Sequence, residues 1–136
     1  MTPEELVQAA CTVRKRAYAP YSHFTVGAAL LCKNGKVFCG CNVENAAFTP
    51  TCCAERTAFF SAIADGEHEF SAIAVVGAKA EEAPTDFCAP CGVCRQVMRE
   101  FCTDDFEILL FDGKTIKQHT LKEIFPLAFS ENLLNL

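Results

Sequence analysis

Two short stretches of the sequence bring together side chains that bind metal ions and move protons. TCCAERTAFF, at 51–60, places two thiols, a carboxylate and a guanidinium at the start of an apolar, helix-like run. PCGVCRQ, at 90–96, has two thiols three positions apart directly after a proline. Cysteine thiolates bind zinc, and a carboxylate within reach of a reacting group can act as a general acid or base. The stretches therefore indicate a metal site or a redox-active dithiol.

Cys91 and Cys94 form a C-x-x-C motif at a predicted helix start. There both thiols can face one point, and the helix dipole favours their thiolate forms. A redox dithiol and half of a zinc ribbon use the same spacing. A zinc ribbon needs a second, separate C-x-x-C, which the sequence lacks. A thioredoxin-like dithiol usually follows the first strand of its fold, whereas this motif comes after the third predicted strand.

Cys53 is the candidate for a third ligand, because it too stands at a predicted helix start. If both helices begin at one end of a sheet, Cys53, Cys91 and Cys94 can bind a single Zn²⁺. Three protein ligands leave the fourth tetrahedral position to water, as in catalytic zinc sites. Glu55 is then placed to contact that water without binding the metal. The alternative is that Glu55 only interacts with the helix dipole.

The surrounding elements are predicted from periodicity, caps and turns. Thr2 is the expected N-cap of the first helix, with Pro3 and Glu5 in its first turn. Asn34-Gly35 is a strong hairpin signal between two β-rich runs. The predicted helices cover about 3–17, 53–65, 91–101 and 120–125, and the predicted strands 24–33, 36–43, 71–79, 106–111 and 114–119.

This order of elements predicts an α/β fold with a mixed five-stranded sheet and helices on both faces. An N-terminal hairpin comes first, and residues 71–111 then form a right-handed parallel crossover. No repeat, linker or low-complexity segment divides the chain, so its 136 residues are expected to form a single domain, 1–136.

Composition narrows the classes of partner and location. The net charge is −5 and the sequence pI about 5.1, which disfavours a long nucleic acid as partner. The basic run 14–16 is interpreted as the solvated face of a helix. The N-terminal MTPEELVQAA lacks the basic and apolar regions of a signal peptide, and no apolar run is long enough for a membrane span. We therefore expect a soluble cytoplasmic protein with reduced cysteines.

The motifs also resemble those of a known family. Cys53-Ala54-Glu55 and the C-x-x-C after Pro90 fit the all-cysteine form of the zinc deaminase signature. Nearly the whole chain is similar to the small, homotetrameric cytidine deaminases, with counterparts of PYSHFTVGAAL, CNVENAAF, CCAERTA, PCGVCRQ and FPLAFS. The resemblance implies a cytidine-deaminase-like three-layer α/β/α fold with one Zn²⁺ per chain. It also implies hydrolytic deamination of cytidine and 2′-deoxycytidine in pyrimidine salvage, in a homotetramer with sites at subunit interfaces.

The resemblance implies roles for the residues of the two stretches. Cys53, Cys91 and Cys94 bind zinc, while Glu55 moves protons from the attacking water to N3 of cytosine and to the departing ammonia. Cys52, outside the signature, is expected to pack. Three thiolates and Zn²⁺ sum to a charge of −1, so Arg56 is expected to hydrogen-bond to the ligand sulfurs and offset it. The alternative for Arg56 is a surface arginine.

Substrate-binding residues are also implied by the resemblance: Phe24, Asn42, Glu44 and Ala54, with Phe129 contributed by the neighbouring subunit. Asn42 and Glu44 alternate at the end of a predicted strand, so both can point to one face and bind the sugar. Glu44 would repel a phosphate, which favours nucleosides over nucleotides. Without the resemblance, the two would be turn formers, and Phe24 and Phe129 ordinary packing residues.

Phe48 departs from the family pattern, since many relatives have tyrosine in this N-A-A-Y element. The ring can still pack, but any contact made by the hydroxyl is lost. The main alternative function is deamination of a cytosine-nucleoside antibiotic of the blasticidin S type. A polynucleotide-editing deaminase is opposed by the acidic pI, and a non-enzymatic zinc-stabilised or redox domain would need no Glu55.

Overall fold

The computed structural model describes residues 1–134, in which five strands form one mixed sheet. The helices are α1 (Pro3–Arg14), α2 (Ala54–Ala64), α3 (Gly92–Phe101) and α4 (Leu121–Ile124), followed by a 3₁₀ turn at Glu131–Leu134. The strands are β1 (Phe24–Cys32), β2 (Val37–Cys41), β3 (Phe70–Lys79), β4 (Glu107–Phe111) and β5 (Ile116–Thr120). None of the described helices has the length and apolar character needed to cross a bilayer.

The sheet order is β2-β1-β3-β4-β5, with one parallel pair, β3–β4, and antiparallel pairing elsewhere. The hairpin predicted from Asn34-Gly35 joins β1 to β2, and Gly35 adopts a φ of 92° at its tip. The crossover through α3 joins the parallel strands β3 and β4, as predicted. The mixed five-stranded sheet is therefore confirmed.

Helices cover both faces of the sheet and make three layers. Alternate residues of β3 face opposite ways: Val76 packs with Leu6 of α1, whereas Ile73 packs with Phe59 of α2 and Met98 of α3. This alternation explains the continuous apolar run in β3, because a central strand covered on both faces needs apolar residues at every position.

Three predicted boundaries differ from the observed ones by two or more residues: the end of α1, the end of β2, at Cys41 instead of 43, and the start of β5. A tertiary contact explains the first and a local turn explains the last. Helix α1 ends at Arg14 instead of about 17, because the chain turns away so that the Tyr18 N–H can donate to the Asn42 carbonyl (2.9 Å). Strand β5 begins at Ile116 instead of 114, because Asp112 Oδ1 accepts hydrogen bonds from the backbone of Lys114 and Thr115. These bonds hold 112–115 as a turn.

Candidate metal centre and active site

The site is built where two helices begin. Helix α2 starts after Cys53 and α3 after Cys91, so each cysteine is an N-cap residue, whereas the sequence predicted it as the first residue of the helix. Neither thiol caps its own helix. Both sulfurs are thus free for a ligand while lying close to unpaired helix N–H groups, whose partial positive charge stabilises thiolates.

The three predicted ligand atoms converge. The Sγ atoms of Cys53, Cys91 and Cys94 all lie within 4.8 Å of one another, and those of Cys53 and Cys91 are 3.9 Å apart. Sulfurs bound about 2.3 Å from a tetrahedral zinc ion are about 3.8 Å apart. The spacing and the all-thiol donor set therefore fit Zn²⁺. Cys52 lies outside this cluster; its backbone forms a β-bridge with Val43.

The thiols change one another's pKa values. Cys94 is the largest influence on Cys53 and lowers its pKa to about 5, with Arg56 and Cys91 acting in the same direction against burial. The same contact with Cys53, followed by burial, raises the pKa of Cys94. One thiolate is thus stabilised by its neighbours before any metal binds, which is a suitable starting point for a metal site.

Arg56 lies against the ligand sulfurs as expected. Its Nη2 donates to Cys53 Sγ at 3.4 Å, and this contact raises the pKa of the guanidinium. Within residues 1–134, its buried Nε has no hydrogen-bond partner. A cation kept half-buried against a thiolate offsets negative charge at the cluster, so Arg56 is not a free surface arginine.

Glu55 is buried in the first turn of α2, with only 4% of its surface exposed. Burial, helped by the charge of Cys53, raises the pKa of its carboxyl to about 7, although a backbone hydrogen bond, Cys94 and Arg56 act in the opposite direction. A buried acid loses solvation that the helix dipole alone does not replace. The location of Glu55 thus favours a chemical role over a capping role.

The start of α2 is held against β2 by a close contact. Thr57 Oγ1 donates to the backbone carbonyls of Cys41 (2.9 Å) and Ala54 (2.8 Å). Gly40 makes room for this contact, because a Cβ there would lie 2.2 Å from Thr57 Oγ1 and 2.5 Å from the Ala54 carbonyl oxygen. Ala54, one of the predicted substrate-binding residues, is fully buried at this junction.

Asn42 and Glu44 both point towards the start of β1. The Asn42 side chain accepts from the Val26 N–H (2.8 Å) and donates to the Phe24 carbonyl (2.9 Å). Glu44 Oε1 accepts from the backbone N–H groups of Tyr21 (3.0 Å) and Ser22 (3.1 Å), while Oε2 accepts from the Ser22 hydroxyl. Both therefore shape the backbone around Phe24. Each keeps unused hydrogen-bonding capacity for a ligand.

A cleft of about 390 Å³ lies beside Phe24 and Cys88. Burial, with smaller contributions from the charges of Glu55 and Cys53, raises the pKa of the Cys88 thiol to about 11. A larger cavity, of about 960 Å³, lies at the far end of α3 around Phe101 and Phe125, away from the thiols. Neither lining includes Cys53, Cys91, Cys94 or Glu55. The smaller cleft is of interest because it contains Phe24, one of the predicted substrate-binding residues.

Phe129 does not reach the thiol cluster of its own chain. Its side chain is 53% exposed, and its carbonyl accepts a hydrogen bond from Gln96 Nε2 (2.9 Å). Phe48 is 72% exposed at a φ of 63° and makes an edge contact with Tyr21. Both rings are therefore exposed on the surface of the described chain.

Sequence reasoning missed four contributors: Ser22, Thr57, Cys88 and Gln96. Thr57 and Gln96 stand in the quoted stretches CCAERTA and PCGVCRQ, but nothing in their spacing indicates their partners. Cys88, three residues before Cys91, is the one with a local signal. Its burial and lack of a second ligand set explain why that spacing does not create another site.

A carboxylate two residues after one thiolate ligand, with a C-x-x-C pair completing the set, is the arrangement of zinc deaminases. The geometry of Cys53, Glu55, Cys91 and Cys94 places the chain in that class of hydrolytic enzymes. The family follows from comparison. Residues 1–110 match the family model described as the cytidine and deoxycytidylate deaminase zinc-binding region, and the chain belongs to this family.

Individual relatives agree over nearly the full length. A cytidine deaminase of Sporosarcina psychrophila is 45% identical over 136 residues, covering 99% of this chain and 96% of the relative. The crystal structure of cytidine deaminase from Burkholderia pseudomallei superposes with a TM-score of 0.85 and 48% identity, covering 95% of this chain and all of that one. A blasticidin-S deaminase of Bacillus cereus is 31% identical over 131 residues, covering 94% of this chain and 92% of the relative.

Proposed function

We propose that this chain catalyses the zinc-dependent hydrolytic deamination of cytidine and 2′-deoxycytidine, producing uridine and 2′-deoxyuridine with release of ammonia. The observation that carries the proposal is the buried carboxyl of Glu55 beside three thiols within 4.8 Å of one another. A structural or redox thiol site has no need of a buried acid, and burying one costs stability. The reaction fits a role in pyrimidine salvage.

Cys53, Cys91 and Cys94 would hold one zinc ion, which supplies a Lewis acid that acidifies a water molecule. Glu55 receives the proton of the attacking water and delivers it to N3 of cytosine. It then takes the remaining proton of the oxygen added at C4 and donates it to the amine, so that the C4–N bond breaks, the carbonyl forms and the leaving group is ammonia. Burial keeps bulk water from competing for these transfers. Arg56 holds the sulfur of Cys53 and offsets its charge.

Substrate recognition is assigned to Phe24, Asn42, Glu44 and Ala54. Phe24 forms one wall of the cleft and would pack against the pyrimidine. Ala54 is the first residue of α2, between Cys53 and Glu55. Asn42 and Glu44 use their remaining hydrogen-bonding capacity on the sugar hydroxyls. The Ser22 hydroxyl lowers the pKa of Glu44, so the group is ionised at neutral pH and repels a phosphate at the same position. This favours nucleosides over nucleotides.

The working molecule is proposed to be a homotetramer of single-domain chains, with Phe129 entering the neighbouring subunit's site. Exposed apolar side chains support burial at an interface: Phe48, Phe60, Leu127, Phe129 and Leu133. Within residues 1–134, all ten cysteines have free thiols. Because free thiols persist in reducing compartments, a cytoplasmic location is inferred.

Purified protein tests the proposal directly. Metal analysis is expected to find one zinc per chain, and the absorbance change of cytidine is expected to show conversion to uridine. A chelator should abolish turnover, and added Zn²⁺ should restore it. Zinc-loaded protein that leaves cytidine and 2′-deoxycytidine unchanged would contradict the proposal.

Blasticidin S is the second candidate substrate, because its deaminase is a relative across most of the chain. The identity is 31%, against 45% for the cytidine deaminase. Cytidine is therefore expected to be the better substrate in parallel assays. A higher kcat/KM with blasticidin S would reverse the assignment.

A further inference from the structure

Helix α3 holds the C-terminal segment, residues 125–130, through two consecutive side chains. Arg95 and Gln96 directly follow the candidate ligand Cys94, and both are half-buried. Their donors reach backbone carbonyls far along the chain. The same helix that supplies two thiols to the metal cluster is thus also the support of this segment.

Arg95 joins the residue before Cys91 to the end of α4. Its Nε donates to the Pro90 carbonyl (2.7 Å), directly before Cys91, and its Nη1 donates to the Ile124 carbonyl (2.7 Å). A planar guanidinium presents its donors in a fixed fork, so the two carbonyls are held at a set separation. Arg95 therefore fixes the point at which the C-terminal segment begins.

Gln96 holds the other end of this segment. Its Nε2 donates to the Phe129 carbonyl at 2.9 Å, while the Phe129 ring stays 53% exposed. Between the two held carbonyls, Leu127 adopts a φ of 53°, a left-handed conformation that residues other than glycine seldom adopt. Such a conformation persists where the surroundings enforce it. The contacts on either side of Leu127 meet that condition.

We propose that Gln96 is a positioning residue for substrate binding, which fixes the backbone of Phe129 so that its ring projects into the neighbouring subunit's site. The inference rests on the proposed function and on the role given there to Phe129. It adds that each α3 contributes to two sites. Its thiols belong to the metal cluster of its own chain, and its Gln96 orients the Phe129 ring that enters the site of the neighbouring subunit. Arg95 secures the same segment at Ile124.

Gln96→Met tests this inference, because methionine has a similar length but cannot donate a hydrogen bond. We expect KM for cytidine to rise about 3- to 10-fold, the equivalent of one neutral hydrogen bond, with kcat and zinc content unchanged. Gln8→Met, the same change at an exposed position of α1, is the matched control and should behave like the parent.

A double-mutant comparison shows whether the effect passes through Phe129. If Gln96 acts by placing that ring, Phe129→Ala with Gln96→Met should raise KM no further than Phe129→Ala alone. Additive effects, kinetics identical to the parent, or a fall in kcat with loss of zinc would each overturn the inference. A zinc-loaded parent inactive on cytidine would instead overturn the proposed function. If the parent is active and the Gln96→Met variant has the same KM and kcat, only the role of Gln96 is overturned.

Discussion

At the scale of single residues, Glu55 and Arg56 show how adjacent positions acquire opposite tasks. Both stand in the first turn of α2, yet Glu55 is buried beside Cys94 while Arg56 reaches back to Cys53. The carboxyl is placed to exchange protons with a reacting group. The guanidinium is placed to adjust the charge of the ligands. Replacing each residue should therefore affect turnover and zinc retention differently.

Glu55→Gln should retain zinc but lose activity by several powers of ten. One acid–base step contributes about 10²–10⁴, and Glu55 is assigned several transfers. Metal analysis and cytidine turnover on the same sample check this. Glu4→Gln, at an exposed first-turn acid of α1, controls for helix-dipole effects and should remain fully active. Retention of a tenth of the parent turnover by Glu55→Gln would contradict the proton-carrier role.

Arg56→Gln should lower turnover or zinc retention, because the charge at the Cys53 sulfur is no longer offset. Loss of an outer contact to a metal ligand typically costs about 10–100-fold in affinity or activity. Chelator competition and steady-state kinetics measure the two quantities. The exposed Arg16→Gln serves as the comparison. If Arg56→Gln matches the parent in both measurements, the hydrogen bond to sulfur has no functional effect.

At the scale of elements, the site depends on how closely α2 approaches β2. The N-terminus of α2 carries Cys53 and Glu55, and Gly40 with Thr57 sets its distance from the sheet. The atoms facing Gly40 include backbone, which cannot rotate out of the way. A small change in this strand should therefore alter a site to which the strand contributes no ligand.

Gly40→Ala should destabilise the protein by about 1–3 kcal/mol or more, the usual cost of overpacking, and should weaken zinc retention. Denaturant unfolding with and without zinc measures both effects. Gly92→Ala is the matched control, because an added Cβ there meets no atom within 4 Å. If Gly40→Ala and Gly92→Ala have the same free energy of unfolding, the contact between α2 and β2 is not tight.

At the scale of the whole molecule, the proposed homotetramer requires each site to receive Phe129 from a neighbouring chain. The ring of Phe129 is exposed and its backbone is held by α3, so it is available to a neighbour. In a symmetric oligomer every site receives the same contribution from the next chain. Two impaired chains, one without the Glu55 carboxyl and the other without the Phe129 ring, should then complement each other.

Mixing Glu55→Gln chains with Phe129→Ala chains, followed by dissociation and reassembly, tests this arrangement. Random pairing in a symmetric assembly should produce intact sites in about a quarter of positions. At cytidine concentrations well below KM, turnover should then exceed that of either variant alone. Strict additivity of the two separate activities would show that each site is completed within its own chain.

Local patterns in the sequence were sufficient for the order of the elements and for the three thiols that the fold brings together. Thr2 does accept from the Glu5 N–H, and Thr120 with Glu123 forms a capping box at the predicted short helix. The Asn34-Gly35 hairpin and the parallel crossover are also confirmed. Such features depend on residues within a few positions of one another, and C-x-x-C with Cys-x-Glu is itself a local pattern.

The tertiary structure determined the contacts between residues that are far apart in the sequence, which local patterns do not predict. Asn42 hydrogen-bonds to Phe24, 18 positions away, and Gln96 hydrogen-bonds to Phe129, 33 positions away. Helix α1 ends early because Tyr18 hydrogen-bonds to Asn42, just after β2. Their partners are chosen by the packing of strands and helices, because backbone groups removed from water must find hydrogen bonds wherever the fold brings them. The sequence by itself determined which side chains could bind zinc and move protons. Only the fold determined how close they lie and what holds them there.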